Sequence, residues 1–216
     1  MAQVFHPYSN VLARVSLVVV LAGAGGGFFL LDRLFRSPYN TQALVARDQP
    51  VQFSHKHHAG ELGIDCRYCH TSVETSSNAG IPPTQTCMNC HSQIWSSSPT
   101  LEPVRASWRS GESIVWTKVY DLPDYVYFNH AVHVAGGVGC VSCHGRVDQM
   151  NLTYQVPSLQ MDWCLECHRN PAPNLRPRSE VFNMAWEPPA DQPDLGAELM
   201  AAHDIHGRSD CTACHR

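Results

Sequence analysis

Cys66-Arg-Tyr-Cys69-His70 sets the pattern for the chain, and four further stretches repeat it: Cys87-Met-Asn-Cys90-His91, Cys140-Val-Ser-Cys143-His144, Cys164-Leu-Glu-Cys167-His168 and Cys211-Thr-Ala-Cys214-His215. All ten cysteines of the 216 residues fall in these five CxxCH motifs, numbered here one to five along the chain. Two thiols and an imidazole on one short turn are what covalent attachment of haem c requires. The thiols add to the vinyl groups at one porphyrin edge, and the histidine binds the iron. A disulfide framework would also use an even cysteine count in an exported chain, but it gives no reason for a histidine after every second cysteine. Zinc ribbons are the stronger rival, since Cys69 to Cys87 encloses 17 residues and Cys143 to Cys164 encloses 20. A ribbon pairs its CxxC units, however, and five is odd. The motifs therefore predict five haem c groups with His70, His91, His144, His168 and His215 as proximal iron ligands.

Working outward from the motifs, an internal repeat emerges. Phe53-Ser-His55-Lys-His-His58 lies over Phe128-Asn-His130-Ala-Val-His133, both reading FxHxxH. In each copy a Gly-apolar-x-Cys step follows (Gly63-Ile64 before Cys66, Gly137-Val138 before Cys140), then a CxxCH, an apolar-Pro pair (Ile81-Pro82, Val156-Pro157) and a second CxxCH. Each copy is a two-haem unit. Met200-Ala-Ala-His203, eight residues before Cys211, has the spacing of a partial third copy.

The repeat also selects distal ligands. HxxH puts two imidazoles on one helical face, able to reach two irons, so His55, His58, His130 and His133 are the predicted sixth ligands. His57 does not repeat and is expected to point elsewhere. For the fifth iron His203 is the first choice, with Met161 as the main alternative and His206 and Met200 also in range; a thioether would raise that haem's potential.

Val15 to Leu31 is 17 residues without a formal charge, at the short end for a spanning helix. Ala22-Gly23-Ala24 resembles a signal-peptide cleavage site, but apolar sequence continues past it through Phe28, Phe29, Leu30 and Leu31, which favours a retained anchor. Arg14 before the span against Arg33 and Arg36 after it weakly places the C-terminal side in the cytoplasm. Haem attachment outside the bacterial cytoplasmic membrane outweighs that one-charge difference and predicts a periplasmic haem domain. Gly23 and Gly27 make a GxxxG spacing suited to a partner helix.

The expected organisation is a cytoplasmic N-terminus (1–10), a transmembrane anchor (11–33), a linker (34–50), dihaem repeat one (51–110), a second linker (111–127), dihaem repeat two (128–175) and a C-terminal segment with the fifth haem (176–216). Arg169 to Arg178 and Glu187 to Asp194 are proline-rich and read as linkers. The predicted fold class is a multihaem cytochrome c: one N-terminal transmembrane helix, then a mostly irregular, short-helix domain packed by porphyrins rather than by sheets. A formal charge of -4 indicates no nucleic-acid partner and leaves a basic docking partner plausible.

The single anchor, the duplicated FxHxxH units, Met161-Asp-Trp163-Cys164-Leu-Glu-Cys167-His168-Arg169 and a fifth CxxCH at the end together resemble the pentahaem cytochrome subunit of alternative complex III, a bacterial quinol-oxidising complex. The resemblance implies an electron-transfer subunit, not an enzyme on its own. Its implied partners are integral quinol-binding subunits, an iron-sulfur subunit and a monohaem cytochrome. A soluble periplasmic acceptor would take the electrons. The alternative is a multihaem quinol dehydrogenase feeding a periplasmic reductase, though such proteins usually carry four haems. A catalytic multihaem enzyme would need an iron with an open position, and here candidate ligands outnumber irons.

Overall fold

The computed structural model describes residues 4–215; residues 1–3 and 216, the outermost parts of the expected N-terminal and C-terminal segments, lie outside them. The chain divides into two units, residues 1–43 and residues 44–216.

The first unit is built on α1 (Tyr8–Arg36), 29 residues long and the one helix among the described residues long and apolar enough to cross a membrane. At about 1.5 Å per residue it runs roughly 43 Å, more than the hydrocarbon core of about 30 Å. It extends three residues beyond the expected span at each end. At its C-terminal end the extension is carried by contacts one turn apart: Asp32 pairs with Arg36 at 2.8 Å, and the Arg33 guanidinium lies 5.0 Å from the Phe29 ring centre. Ser37 is extended because Pro38 follows it, which ends the helix before the short α2 (Pro38–Thr41). At glycines 23, 25, 26 and 27 the space a Cβ would occupy is open.

The second unit contains no strand among its described residues, only isolated bridges at Ala46–Tyr154 and Val138–Leu175. Both cysteines of every CxxCH lie on a helix, with His70 and His215 just past the end of theirs: α3 (Cys66–Cys69), α4 (Thr84–His91), α7 (Cys140–His144), α8 (Met161–Arg169) and α10 (Cys211–Cys214). Between them stand α5 (Glu102–Ser110), α6 (His130–Ala135) and α9 (Gln192–Ala202). The protein's own core is thin. Nine hydrophobic side chains are buried among the described residues of the whole chain. Val51, Leu101 and Val104 form one cluster with Cys87, Met88, Ile114 and Trp116 around them. So small a core suits a domain whose apolar filling comes from elsewhere.

Arg169 to Arg178 differs from its reading as a linker, whereas Glu187 to Asp194 is exposed apart from Gln192. Leu175 is 1% exposed and Arg176 is 5% exposed, with its guanidinium 4.4 Å from the Trp186 ring centre. Gln192, which opens α9, is buried and donates to the carbonyls of Ala172 and Leu175. Proline leaves few backbone donors to satisfy, and the Arg176 N–H that remains donates to the Gly137 carbonyl at 2.9 Å, so the segment can be buried.

Candidate haem ligand site

The two FxHxxH segments reach the same geometry by different helices. Phe53 to Cys66 is thirteen steps along the chain and Phe128 to Cys140 is twelve, so repeat one carries an extra residue. It is absorbed in a π-helical turn over Lys56–Glu61, where Leu62 N–H donates to the His57 carbonyl, five residues back, at 3.0 Å. Repeat two uses the ordinary α6, with Gly136 N–H donating to the Val132 carbonyl, four back, at 3.0 Å. The residue after each phenylalanine caps its helix. The Ser54 hydroxyl accepts from His57 N–H at 3.1 Å, and Asn129 Oδ1 accepts from Val132 N–H at 3.4 Å. Beyond the helices Gly63 and Gly137 both have positive φ, 66° and 82°, turning the chain into the cysteine motif.

The structure sets each selected histidine opposite a motif histidine. His55 faces His70 with ring centres 6.5 Å apart and planes at 6°, and His130 faces His144 at 6.4 Å and 14°. His58 faces His91 at 6.1 Å and 65°, and His133 faces His168 at 6.0 Å and 67°. Each phenylalanine meets both histidines of its own segment in the same way. Phe53 is stacked on His58 (4.4 Å, 26°) and edge-on to His55 (4.9 Å, 86°), while Phe128 is stacked on His133 (4.6 Å, 26°) and edge-on to His130 (4.8 Å, 88°).

The rings are also oriented from behind. Carbonyl oxygens lie against Nδ1 of His70 (Gly80, 2.7 Å), His91 (Ile94, 3.0 Å), His168 (Arg208, 2.9 Å), His215 (Tyr125, 2.9 Å), His58 (Ser54, 2.9 Å), His130 (Ser77, 2.9 Å) and His133 (Asn129, 2.7 Å). A carbonyl can only accept, so in each of these rings Nδ1 carries the proton and Nε2 keeps a bare lone pair for a metal. His55 Nδ1 is paired instead with the Thr153 hydroxyl at 2.8 Å. His144 lies against the Tyr120 ring (4.4 Å, 57°), whose hydroxyl donates to the Cys143 carbonyl at 3.2 Å and accepts from Val156 N–H at 3.2 Å. Burial pushes the Tyr120 phenol up to about 12.

Electrostatics favour the neutral ligand form. Burial is the main cause that lowers His55 and His144 to about 4, with neighbouring imidazoles adding to it. Burial likewise lowers His58 and His133, against the carbonyls of Ser54 and Asn129. It raises the thiols of Cys140 to about 11 and Cys143 to about 12, so these are neutral in the protein alone.

The four facing pairs fit a haem iron. Two metal–nitrogen bonds of about 2 Å, together with the distance from each ring centre to its own nitrogen, span the 6.0–6.5 Å observed. All ten cysteines are free thiols, and eight of them belong to the four motifs whose histidines form these pairs. The four-thiolate cluster a zinc ribbon needs is not formed: no group of three or more metal-ligating side chains gathers among the described residues.

The fifth motif differs. The ring His215 meets is Tyr125, at 5.7 Å and 36°, and among the described residues no imidazole faces it as in the other four pairs. His203 stands at the C-terminal end of α9, His206 pairs with Asp204 at 2.9 Å, and Met161 is exposed at the start of α8. His57 is not one of the paired rings: it is bonded to Glu61 at 2.9 Å, stacked with Trp95 and edge-on to His58 at 5.4 Å.

Residues 34–101 match the class III cytochrome c family. The fold class is a multihaem cytochrome c, built from short helices and irregular segments, and the matched family implies c-type haem as the cofactor. The chain is similar to the protein of Nitratidesulfovibrio vulgaris named menaquinone reductase, multiheme cytochrome c subunit, at 38% identity over 99 residues. That match covers 45% of this chain and 46% of the relative, so the aligned stretch spans about half the length of each.

The residues that orient the rings differ in the signal they leave in the sequence. Ser54 and Asn129 leave a local one, since each is a capping residue before a short helix; Thr153, Ser77 and Arg208 come from distant segments and leave none.

Proposed function

We propose that this chain is the five-haem electron-relay subunit of a membrane quinone-linked complex, retained in the bacterial cytoplasmic membrane by α1 with its haem domain on the periplasmic side. The observation that carries the reading is the set of four facing histidine pairs, each joining one CxxCH histidine to one histidine of a duplicated FxHxxH segment at 6.0–6.5 Å. Haem c supplies reversible one-electron redox chemistry when bound. His70, His91, His144, His168 and His215 are the proximal ligands and His55, His58, His130 and His133 the distal ones. The fifth distal ligand is assigned to His203, with Met161 as its alternative. Two imidazoles closing on one position leave no room for a substrate, so this chain's residues hold and orient rather than bind and convert. The stretch Val15–Leu31 contains no ionisable residue to accept a quinol's two protons. Proton chemistry therefore belongs to another subunit.

The order of motifs supports the pentahaem subunit of alternative complex III as the nearest assignment. Its partners would be integral quinol-binding subunits, an iron-sulfur subunit, a monohaem cytochrome and a soluble periplasmic acceptor. The name of the Nitratidesulfovibrio vulgaris relative favours a second reading, in which the same relay runs toward a menaquinone. Three measurements test the proposal. The denatured protein should exceed the polypeptide mass by five haem groups. Quinone-binding membrane subunits should copurify with the chain. A reduced quinol analogue mixed with the isolated chain, anchor included, should leave it oxidised; rapid reduction without any other subunit would defeat the relay reading and favour a quinol dehydrogenase.

A further inference from the structure

We propose that the five attachment motifs form a single line whose spatial order is two, one, three, four, five, so that the second and fifth sites, not the first and fifth, are its two ends. The proposal deepens the relay reading and rests on it for the ligand assignments.

Within each repeat the HxxH helix ties two motifs together. His55 and His58 face motifs one and two, and His130 and His133 face motifs three and four. Motifs one and two also touch directly, since Asn89 Nδ2 donates to the Tyr68 hydroxyl at 3.0 Å. What joins the two repeats is a reciprocal exchange at the first histidine of each. His55 is held by Thr153 of repeat two (2.8 Å), and His130 by the Ser77 carbonyl of repeat one (2.9 Å). The next residue does the same: Lys56 N–H donates to the Met150 carbonyl at 3.0 Å, and Ala131 N–H to the Ser76 carbonyl at 3.1 Å. The first histidines serve motifs one and three, so the junction lies there. A third strip of chain touches both motifs, because Cys140 N–H donates to the Val181 carbonyl at 3.1 Å and the Arg67 guanidinium lies 4.6 Å from the Phe182 ring centre. Motif five joins at motif four, where the Arg208 carbonyl, three residues before Cys211, lies on His168 at 2.9 Å, while its own Cys214 carbonyl accepts from Tyr127 N–H at 2.8 Å.

An independent observation agrees. Of the ten cysteines only Cys90 and Cys211 are exposed, and they belong to motifs two and five. The sites at the ends of a line keep solvent on one side, and those within it do not. Chain order would have made motif one an end. Instead it sits inside, and motif two is where one partner must exchange electrons.

Iron–iron distances in a structure of the haem-loaded protein are the direct test. The irons of motifs one and three should be neighbours, and those of motifs two and three should be separated by motif one; an iron of motif two closer to motif three than that of motif one is would overturn the order. In solution, His58→Met and His55→Met should differ in a redox titration followed by spectroscopy. A ligand change at an end shifts the midpoints of its own haem and one neighbour, whereas a change inside the line shifts its own and two. Equal numbers of shifted midpoints in the two variants would overturn the proposal. Neither measurement involves quinone or partner subunits, so the order can stand or fall separately from the quinone-linked reading.

Discussion

Repeat one and repeat two place their histidines almost identically although one HxxH segment is a π-helical turn with an extra residue and the other an α-helix. The first pair in each is near parallel (6° and 14°) and the second is crossed (65° and 67°). The phenylalanine stacks, the caps and the positive-φ glycines match as well. What is kept constant is the set of contacts that aim the rings, and what varies is the backbone that delivers them. A helix can take up one inserted residue as a widened turn at modest cost, whereas an imidazole misplaced by an ångström loses its metal bond.

The equivalence breaks most visibly if the first histidine of one repeat is removed. His55→Ala and His130→Ala should each open one iron, so that carbon monoxide binds the reduced protein at one haem per chain, where the unaltered protein changes little. His57→Ala should leave the spectrum as it was. Electron paramagnetic resonance sharpens the point, because parallel and crossed imidazole planes split the iron orbitals differently. The oxidised protein should show two classes of low-spin signal, and either alanine variant should deplete the parallel class. Carbon monoxide binding in only one of the two variants would end the idea that the repeats are equivalent.

The glycines that follow separate the repeats. A Cβ on Gly137 would stand 2.5 Å from the Arg176 carbonyl oxygen in addition to its positive φ, while at Gly63 the space is open and only φ resists. Gly137→Ala should lower stability by about 3 kcal/mol and Gly63→Ala by about 1 kcal/mol, read as thermal midpoints of the haem-loaded protein. Equal losses would show that backbone conformation alone matters at both sites.

Replacing either phenylalanine by leucine should cost about 1 kcal/mol through lost ring contacts, and by the same amount in each repeat. A difference of more than twofold between Phe53→Leu and Phe128→Leu would mean that the matched angles hide unequal packing.

The smallest effect lies just before the motifs, where repeat one has Asp65 and repeat two has Gly139. The Asp65 carboxylate accepts from Arg67 N–H at 2.8 Å and meets the Arg67 guanidinium, which holds its pKa at about 2. A depressed carboxylate stabilises the fold above its unfolded pKa, and that contribution is lost as pH falls through the folded value. Asp65→Asn should therefore cost under about 1 kcal/mol at neutral pH, the pair being largely exposed, and the gap from the unaltered protein should close toward pH 2. A gap that persists at that pH would assign the effect to packing instead of charge.

Much of the site was legible because its determinants are local. Two cysteines and a histidine within one helical turn define an attachment motif without any tertiary information, and FxHxxH carries its own cap and its own aromatic stack. The absence of strands among the described residues followed from the same reading, since no alternating apolar pattern competes with the motifs. Arg169 to Arg178 misled for a physical reason: proline richness marks a chain with few donors, and such a chain is as easily buried as exposed. Leu175 shows the first outcome.

The amino-acid sequence by itself determined the chemical equipment of this protein: which thiols and imidazoles are offered to a cofactor, and that they come in a duplicated set. Those properties live in spacings of two to four residues, within the reach of one helical turn. Only the tertiary structure decided which histidine faces which motif, and in what order the motifs stand. The contacts responsible join residues 53 apart for Ser77 and His130, 98 apart for His55 and Thr153, and 90 apart for Tyr125 and His215. No local pattern encodes such pairings, because they depend on how the two repeats exchange hydrogen-bond partners at their first histidines.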